Sequence, residues 1–322
     1  MEFFHGVNVD WLGKKWYFLA FSMIFSVAGL ISMGMHWHSI GSPVPLSVDF
    51  RGGTQVQVKF DHTPDIGAIR QAMDAAGIKD ATVVPYDVAS ANQVLIGLPE
   101  QHNETVLDQG RQQIYDALRT HYDSTISTSN ILNVQAVGPT VGRQLEKQAL
   151  LATLYSLLGM LIYLWFRFQL IYGVAAVVAC FHDTLITVGA FALTNREISL
   201  TVITAILTLV GYSMNDTIVV FDRIRENLRL SRREALPDLV NRSINQTLSR
   251  TVLTSGLTFL TVLSLFIFGG QVLRGFSFAL VIGILIGTYS SIAVAAPMLV
   301  AWQEWRAKQG KTVVLPAAKR SK

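Results

Sequence analysis

The sequence predicts a polytopic α-helical membrane protein with six transmembrane helices and one exported α+β domain of ferredoxin-like type. Six apolar runs are each long enough to span a bilayer, and one polar block, 36–139, separates the first run from the other five. Hydrophobic residues make up 51% of the chain and charged residues only 15%. This composition excludes an ordinary soluble enzyme.

The first apolar run, 16–34, follows Lys14 and Lys15. It is longer than a typical signal-peptide core, and no convincing small-residue cleavage site closes it. We therefore expect segment 1–35 to hold a cytoplasmic N-terminus and an uncleaved first transmembrane helix.

The polar block 36–139 alternates strand-like and helix-like patterns. These patterns predict a β, α, β, β, α, β order with elements at 55–60, 64–76, 81–86, 93–98, 104–118 and 131–137. That order is the split arrangement of ferredoxin-like domains.

Five further spans are predicted within 140–302, at 148–166, 169–193, 198–221, 251–268 and 276–300. Basic residues concentrate in the connections after the second, fourth and sixth spans, including the tail 303–322, whereas block 36–139 holds eleven acidic and six basic residues. By the positive-inside rule both termini are cytoplasmic and the first loop is periplasmic. The basic residues border membrane spans, which favours lipid contact over nucleic-acid binding.

The cytoplasmic connection 223–249 has apolar residues at helical spacing among its arginines. This pattern indicates an amphipathic helix lying along the membrane surface, with a plain solvated linker as the alternative. In the sixth span, Gly283 and Gly287 form a GxxxG motif that gives the helix a small-residue face for close packing.

The fourth span carries Asn215 and Asp216 inside an apolar run. An ionised carboxylate costs roughly 3 kcal/mol on insertion scales, so it normally faces a protein interior, finds a partner or becomes protonated. An acid that is neutral toward lipid and charged toward water is suited to carry a proton or another cation. The same span adds Ser213, and the neighbouring spans add Asp183, Arg250, Thr254 and Ser255 as polar candidates for the same ion-coupling site.

Two interpretations of Asp216 remain open from the residues alone. In one, Asp216 and Arg250 form a static buried ion pair that sets helix register. In the other, which we favour, hydroxyl groups let Asp216 exchange a proton with each side and Arg250 releases the neutral acid. Asp183 is either a second titrating site or a hydrogen-bond partner of its helix neighbours.

No enzyme motif accompanies these spans. Cys180 is the only cysteine, and no Walker A segment, nucleophile triad or metal-ligand spacing occurs. We expect no cofactor and no metal, only a transported H⁺ or Na⁺.

Four ordered motifs resemble the SecF family of the bacterial Sec translocase, a relative of the resistance-nodulation-division exporters. They are DFRGGT at 49–54, VGPTVG at 137–142, GYSMNDTIVV at 211–220 followed by DRIREN at 222–227, and RTVLTSG at 250–256. Together they span nearly the whole chain.

The resemblance implies a non-enzymatic subunit of the inner membrane that uses an ion gradient in late protein export. It implies pairing with SecD beside the SecYEG channel, with YajC and the SecA motor nearby and an unfolded preprotein as substrate. Asp216 and Arg250 would belong to the ion-coupling centre. The domain-junction motifs comprise Asp49, Gly52, Gly53, Gly138, Pro139 and Gly142. The pairs Gly52-Gly53 and Gly138-Pro139 are hinge candidates or ordinary turn residues.

A second hypothesis is half of a proton-coupled exporter of small molecules or lipids. Such a half would also need a partner. A passive scaffold is disfavoured because it has no need for a buried acid.

Overall fold

The computed structural model describes residues 8–78, 81–85, 92–98, 106–167, 170–231, 234–270 and 273–309. Its elements, in chain order, are α1 (Lys15–Ile40), α2 (Val48–Arg51), β1 (Gly53–Lys59), α3 (Ile66–Ala75), β2 (Thr82–Pro85), β3 (Gln93–Leu98), α4 (Val106–His121), β4 (Ile131–Val137), α5 (Pro139–Arg167), α6 (Leu170–Leu193), α7 (Leu200–Leu230), α8 (Leu236–Phe268), α9 (Arg274–Ser290), a π-helical turn (Ser291–Ala295) and α10 (Ala296–Lys308).

Six helical segments of the described chain are long and apolar enough to cross a membrane. They are α1, α5, α6, α7, α8 and the continuous stretch formed by α9, the π-helical turn and α10. This agrees with the six predicted spans. The π-helical turn was not predicted, because nothing in the local apolar pattern distinguishes it from α-helix. Most of the predicted basic tail, 310–322, lies outside the described residues.

The segment predicted to be exported, which we call the α+β domain, contains a four-stranded antiparallel sheet in the order β2-β3-β1-β4, which fits the predicted ferredoxin-like arrangement. β1 pairs with β3 through Thr54 and Leu98, and with β4 through Gly53 and Val137. Alternate residues of β1 and β3 point into one core, where α3 and α4 contribute Met73 and other apolar side chains. The predicted helix from 104 begins at Val106, and residues 104 and 105 lie outside the described part.

The predicted surface helix at 223–249 is wrong. The 31-residue α7 runs on to Leu230, and the 33-residue α8 already begins at Leu236. At about 1.5 Å per residue both helices exceed the roughly 30 Å of bilayer hydrocarbon, so they extend beyond it as an antiparallel hairpin.

The hairpin is held together by its own apolar face. Ile224, Leu239 and Ile244 are buried in one cluster, and Asn227 Nδ2 donates to Ser243 Oγ and Gln246 Oε1, both at 2.8 Å. The sequence pattern correctly marked an apolar helical face. It could not tell whether that face contacts lipid or another helix.

A short segment, extended up to Ser47 and then entering α2, ties the α+β domain to the membrane helices. We call residues 44–49 the strap. Its Leu46 pairs as a parallel β-bridge with Ile198, in the connection between α6 and α7. The amide of Ser47 donates to the Ile198 carbonyl (3.0 Å), and the Ile198 amide donates to the Pro45 carbonyl (2.8 Å).

The two junction motifs of the α+β domain pack against each other. Gly52 and Gly53 have φ values of +73° and +106°, a backbone region that side chains disfavour. A Cβ at Gly142, near the start of α5, would lie 2.8 Å from the Phe50 carbonyl oxygen. The glycines therefore serve a tight turn and a close backbone contact. Hinging at Gly138 and Pro139 stays a prediction.

Glycines also allow close crossing of the transmembrane helices. A Cβ on Gly29 of α1 would lie 2.9 Å from the Gly189 Cα of α6. The GxxxG motif of α9 faces α7, because a Cβ on Gly283 would meet Leu209 at 2.3 Å and one on Gly287 would meet Ser213 at 3.0 Å. The predicted small-residue face is confirmed, and it faces α7.

We predict that Gly29→Leu destabilises the protein, whereas Gly34→Leu on the same helix does not. Gly34 is exposed with no atom within 4 Å of an added Cβ. Overpacking at Gly29 should cost about 1–3 kcal/mol. Thermal unfolding in detergent would measure the difference, and equal midpoints for the two variants would contradict the close crossing.

We predict that Glu197 makes stability pH-dependent. Burial raises the pKa of this carboxyl above its ordinary 4.5, although the Gln55 hydrogen bond and the Arg51 charge oppose the rise. The folded chain then binds this proton more tightly than the unfolded chain. The stability that Glu197 contributes is therefore full at acid pH and is lost as pH rises through the folded pKa.

Glu197→Gln should remove that decline and keep an acceptor for Gln55. Unfolding midpoints measured from about pH 5 to 8 test this, with Glu146→Gln at an exposed position of α5 as the control. A variant whose midpoints keep the wild-type slope would contradict the prediction.

Candidate functional site

Asp216 lies in the middle of α7 and is only 2% exposed. Its Oδ2 accepts a hydrogen bond from the Ser255 hydroxyl of α8 at 2.6 Å. The Thr288 hydroxyl of α9 lies beside the same carboxylate. Three helices therefore meet at this acid.

Asp183 of α6 is the second buried acid, with 1% of its surface exposed. Its Oδ2 accepts from the Ser213 hydroxyl of α7 at 2.5 Å and from the Ser290 hydroxyl of α9 at 2.7 Å. The hydrogen-bond donors to Oδ2 therefore lie on other helices, whereas Oδ1 faces His182, its neighbour in α6. Ser213, a predicted member of the Asp216 site, donates to Asp183 instead.

A chain of polar groups continues from Asp183 to α1. His182 Nδ1 lies 3.0 Å from Asp183 Oδ1, and His182 Nε2 lies 3.0 Å from Ser22 Oγ. Ser22 Oγ in turn lies 3.2 Å from Tyr289 Oη, whose hydroxyl donates to the Phe18 carbonyl at 2.5 Å. Each side chain in this series can donate or accept a hydrogen bond, so the series links a buried acid to the N-terminal half of α1.

Arg250 does not form the ion pair with Asp216 that the sequence suggested. Its side chain is exposed on α8, and no Arg250 nitrogen lies within the 4.0 Å that defines an ion pair with the carboxylate. Its charge reaches Asp216 through space without direct contact. The acid is held by hydroxyl groups, so the interpretation as a static ion pair has no support.

The hydroxyl residues of α8 lie on two faces. Ser255 and Thr251 are buried, and Ser255 faces α7, whereas Thr254 is exposed and donates to the Arg250 carbonyl at 3.0 Å in its own helix. Asn215 is likewise exposed on α7, next to the buried Asp216. Thr254 and Asn215 therefore lie on helices that form the site, but their side chains are exposed and do not line its buried interior.

Sequence reasoning missed Thr288 and Ser290, the residues by which α9 contacts the two acids. They lie just before the π-helical turn and just after Gly287. Hydroxyl residues one and three positions after a GxxxG motif were the available signal, but that motif suggested only packing. π-Helical turns within α-helices often accompany functional sites.

Two family models match this chain. The family model described as "Protein export membrane protein SecD/SecF, C-terminal" matches residues 117–305, and the SecD/SecF GG motif matches residues 39–64. The latter contains the strap and the glycine pair.

Two similar proteins align with most of the length of this chain. Protein translocase subunit SecF from Koribacter versatilis is 54% identical, over 98% of this chain and 96% of that protein. SecF from Vibrio alginolyticus is 41% identical, over 86% of this chain and 84% of that protein.

A solved structure shares the fold. The crystal structure of SecDF from Thermus thermophilus, a translocon-associated membrane protein, superimposes with a TM-score of 0.80 at 36% identity. The match covers 93% of this chain but 39% of the SecDF chain. With the matching family models and full-length relatives, it establishes the family: the chain belongs to the SecF family of protein translocase subunits.

Proposed function

We propose that this chain, paired with SecD, uses an ion gradient through Asp216 to promote late steps of protein export. The main support for this proposal is that the Asp216 carboxylate is buried between α7, α8 and α9, where it accepts a hydrogen bond from the Ser255 hydroxyl. The translocase relatives favour this function over the small-molecule or lipid exporter.

Protonation changes what Asp216 can do. As a carboxylate it only accepts hydrogen bonds, so the Ser255 and Thr288 hydroxyls are both suitable partners. As a neutral acid it also becomes a donor, so its hydrogen bonding to the surrounding hydroxyls changes. One charge crossing 100 mV is worth about 2.3 kcal/mol, enough to bias helix positions that differ by a few kcal/mol.

SecD is proposed to cover an exposed polar face of α7 and α8. On α7 the exposed small and polar residues recur every three or four positions: Thr201, Thr204, Thr208, Gly211 and Asn215. On α8 a second such series contains Arg250, Thr254, Thr261 and Ser264. The hydroxyls of Thr204, Thr208, Thr254 and Thr261 donate to carbonyls within their own helices. Such stripes suit close packing against another membrane helix better than contact with lipid.

The remaining assignments follow from charge distribution and family. We place the chain in the bacterial inner membrane with both termini cytoplasmic and the exported domain periplasmic. It acts beside SecYEG, with YajC and SecA nearby, on an unfolded preprotein that SecA has already pushed. The transported ion is H⁺ or Na⁺, and no cofactor takes part.

We predict that Asp216→Asn abolishes the gradient-dependent part of export. The amide keeps the size of the side chain and still accepts from Ser255, but it cannot titrate. Export of a secreted reporter into energised inverted vesicles, with and without a proton uncoupler or a sodium ionophore, measures that part and separates the two ions.

Asp222→Asn is the matched control. Asp222 lies on the same helix, just after the apolar span, but its side chain is 58% exposed beside Arg167. It should behave like wild type. If Asp216→Asn assembles with SecD and still responds to the ionophores as wild type does, the buried acid is structural and the proposal fails.

We predict that Thr208→Trp weakens association with SecD, because a large ring prevents close helix packing on this face. Val178→Trp, at a 41% exposed position of α6, serves as the control. The measurement is the amount of SecD that co-purifies in mild detergent, with at least a several-fold loss expected for Thr208→Trp alone. Equal recovery would place SecD elsewhere.

A further inference from the structure

The strap is attached to the first residue of the helix that carries Asp216. Asp49 Oδ2 accepts a hydrogen bond from the backbone amide of Leu200 at 2.9 Å. Leu200 begins α7, and the first amides of a helix have no partner within it. A carboxylate 151 residues away in the sequence therefore caps α7.

This capping contact differs from an ordinary local cap. Ser199 already occupies the N-cap position, where its hydroxyl accepts from the Val202 amide at 3.4 Å. Asp49 adds a full negative charge at the positive end of the helix dipole, which strengthens the attachment. Ser47 orients the carboxylate by donating its hydroxyl to Asp49 Oδ2 at 3.0 Å.

Two further contacts hold the same junction. Gln55, at the start of the sheet, donates its Nε2 hydrogen to Glu197 Oε2 at 2.8 Å. Phe50, next to Asp49, is buried in the apolar cluster that also contains Ile198 and Val202. Polar and apolar contacts thus join the exported domain to the start of α7 on several sides.

α7 is uninterrupted from Leu200 to Asp216. These sixteen steps span about 24 Å at 1.5 Å per residue. Its buried face, including Ala205 and Leu209, packs within the bundle. A displacement at one end of such a helix is carried to the other end.

We infer that Asp49 is a positioning residue for ion coupling, which holds the strap and α7 together as one moving body. Through this link the exported domain and Asp216 change position together. The inference rests on the proposed function, because it concerns how the charge state of Asp216 reaches the exported domain.

Asp49 variants test the link in energised inverted vesicles that contain SecD and the remaining export machinery. Asp49→Ala should lower the gradient-dependent part of reporter export at least fivefold and leave the gradient-independent part unchanged. Asp49→Asn keeps an acceptor oxygen and should retain more than half of the gradient-dependent part. Asp61→Ala, at an exposed position of the same domain, is the control.

A disulfide between the strap and the α6–α7 connection tests whether these two segments stay together during export. Paired strand residues lie close enough for a disulfide, so Leu46→Cys with Ile198→Cys can be oxidised in a Cys180→Ala background. Export should be equal in the oxidised and reduced forms, with closure measured by thiol labelling. Loss of gradient-dependent export on oxidation, restored by reduction, would overturn the inference, because the strap would then have to open.

The Asp216→Asn variant in the same assay separates the two ideas. If Asp216→Asn loses gradient-dependent export while Asp49→Ala keeps it, the inference fails and the proposed function stands. If Asp216→Asn keeps it, the proposed function itself fails. A loss in both, with rescue by Asp49→Asn, supports the link.

Discussion

The arrangement of the membrane helices depends on keeping two carboxyl groups out of lipid. Asp216 and Asp183 are almost fully buried, and each is held by serine hydroxyls from other helices. Because a charged group at this depth is expensive, the helices that supply those hydroxyls must stay close. α9 lies against both acids, with Thr288 beside Asp216 and Ser290 hydrogen-bonded to Asp183.

Small residues make that proximity sterically feasible. Gly283 and Gly287 let α9 approach Leu209 and Ser213 of α7 at distances that a Cβ would prevent. Without a hydrophobic force between helices in lipid, close packing and hydrogen bonds supply the association energy. The GxxxG motif therefore allows the close approach of α9 and α7 that the contacts between acids and hydroxyls require.

Helix α7 connects the buried Asp216 to the α+β domain. α7 holds Asp216 in its middle and receives the Asp49 carboxylate at its first residue. The glycine pair after Asp49 leads directly into β1, which pairs with the strand that ends the domain. Both chain crossings between domain and membrane thus lie beside the start of α7.

The six spans, the ferredoxin-like element order, the buried acids and the family could all be predicted from the sequence, because they depend on local periodicity, composition and motifs. The partners of each side chain required the tertiary structure. It assigned Ser213 to Asp183, placed Arg250 on an exposed face and joined 223–249 into a helical hairpin. An apolar or hydroxyl stripe indicates which side of a helix packs. Which helix or segment packs against that side depends on residues that are distant in the chain, such as Ser290 for Asp183 and Leu200 for Asp49.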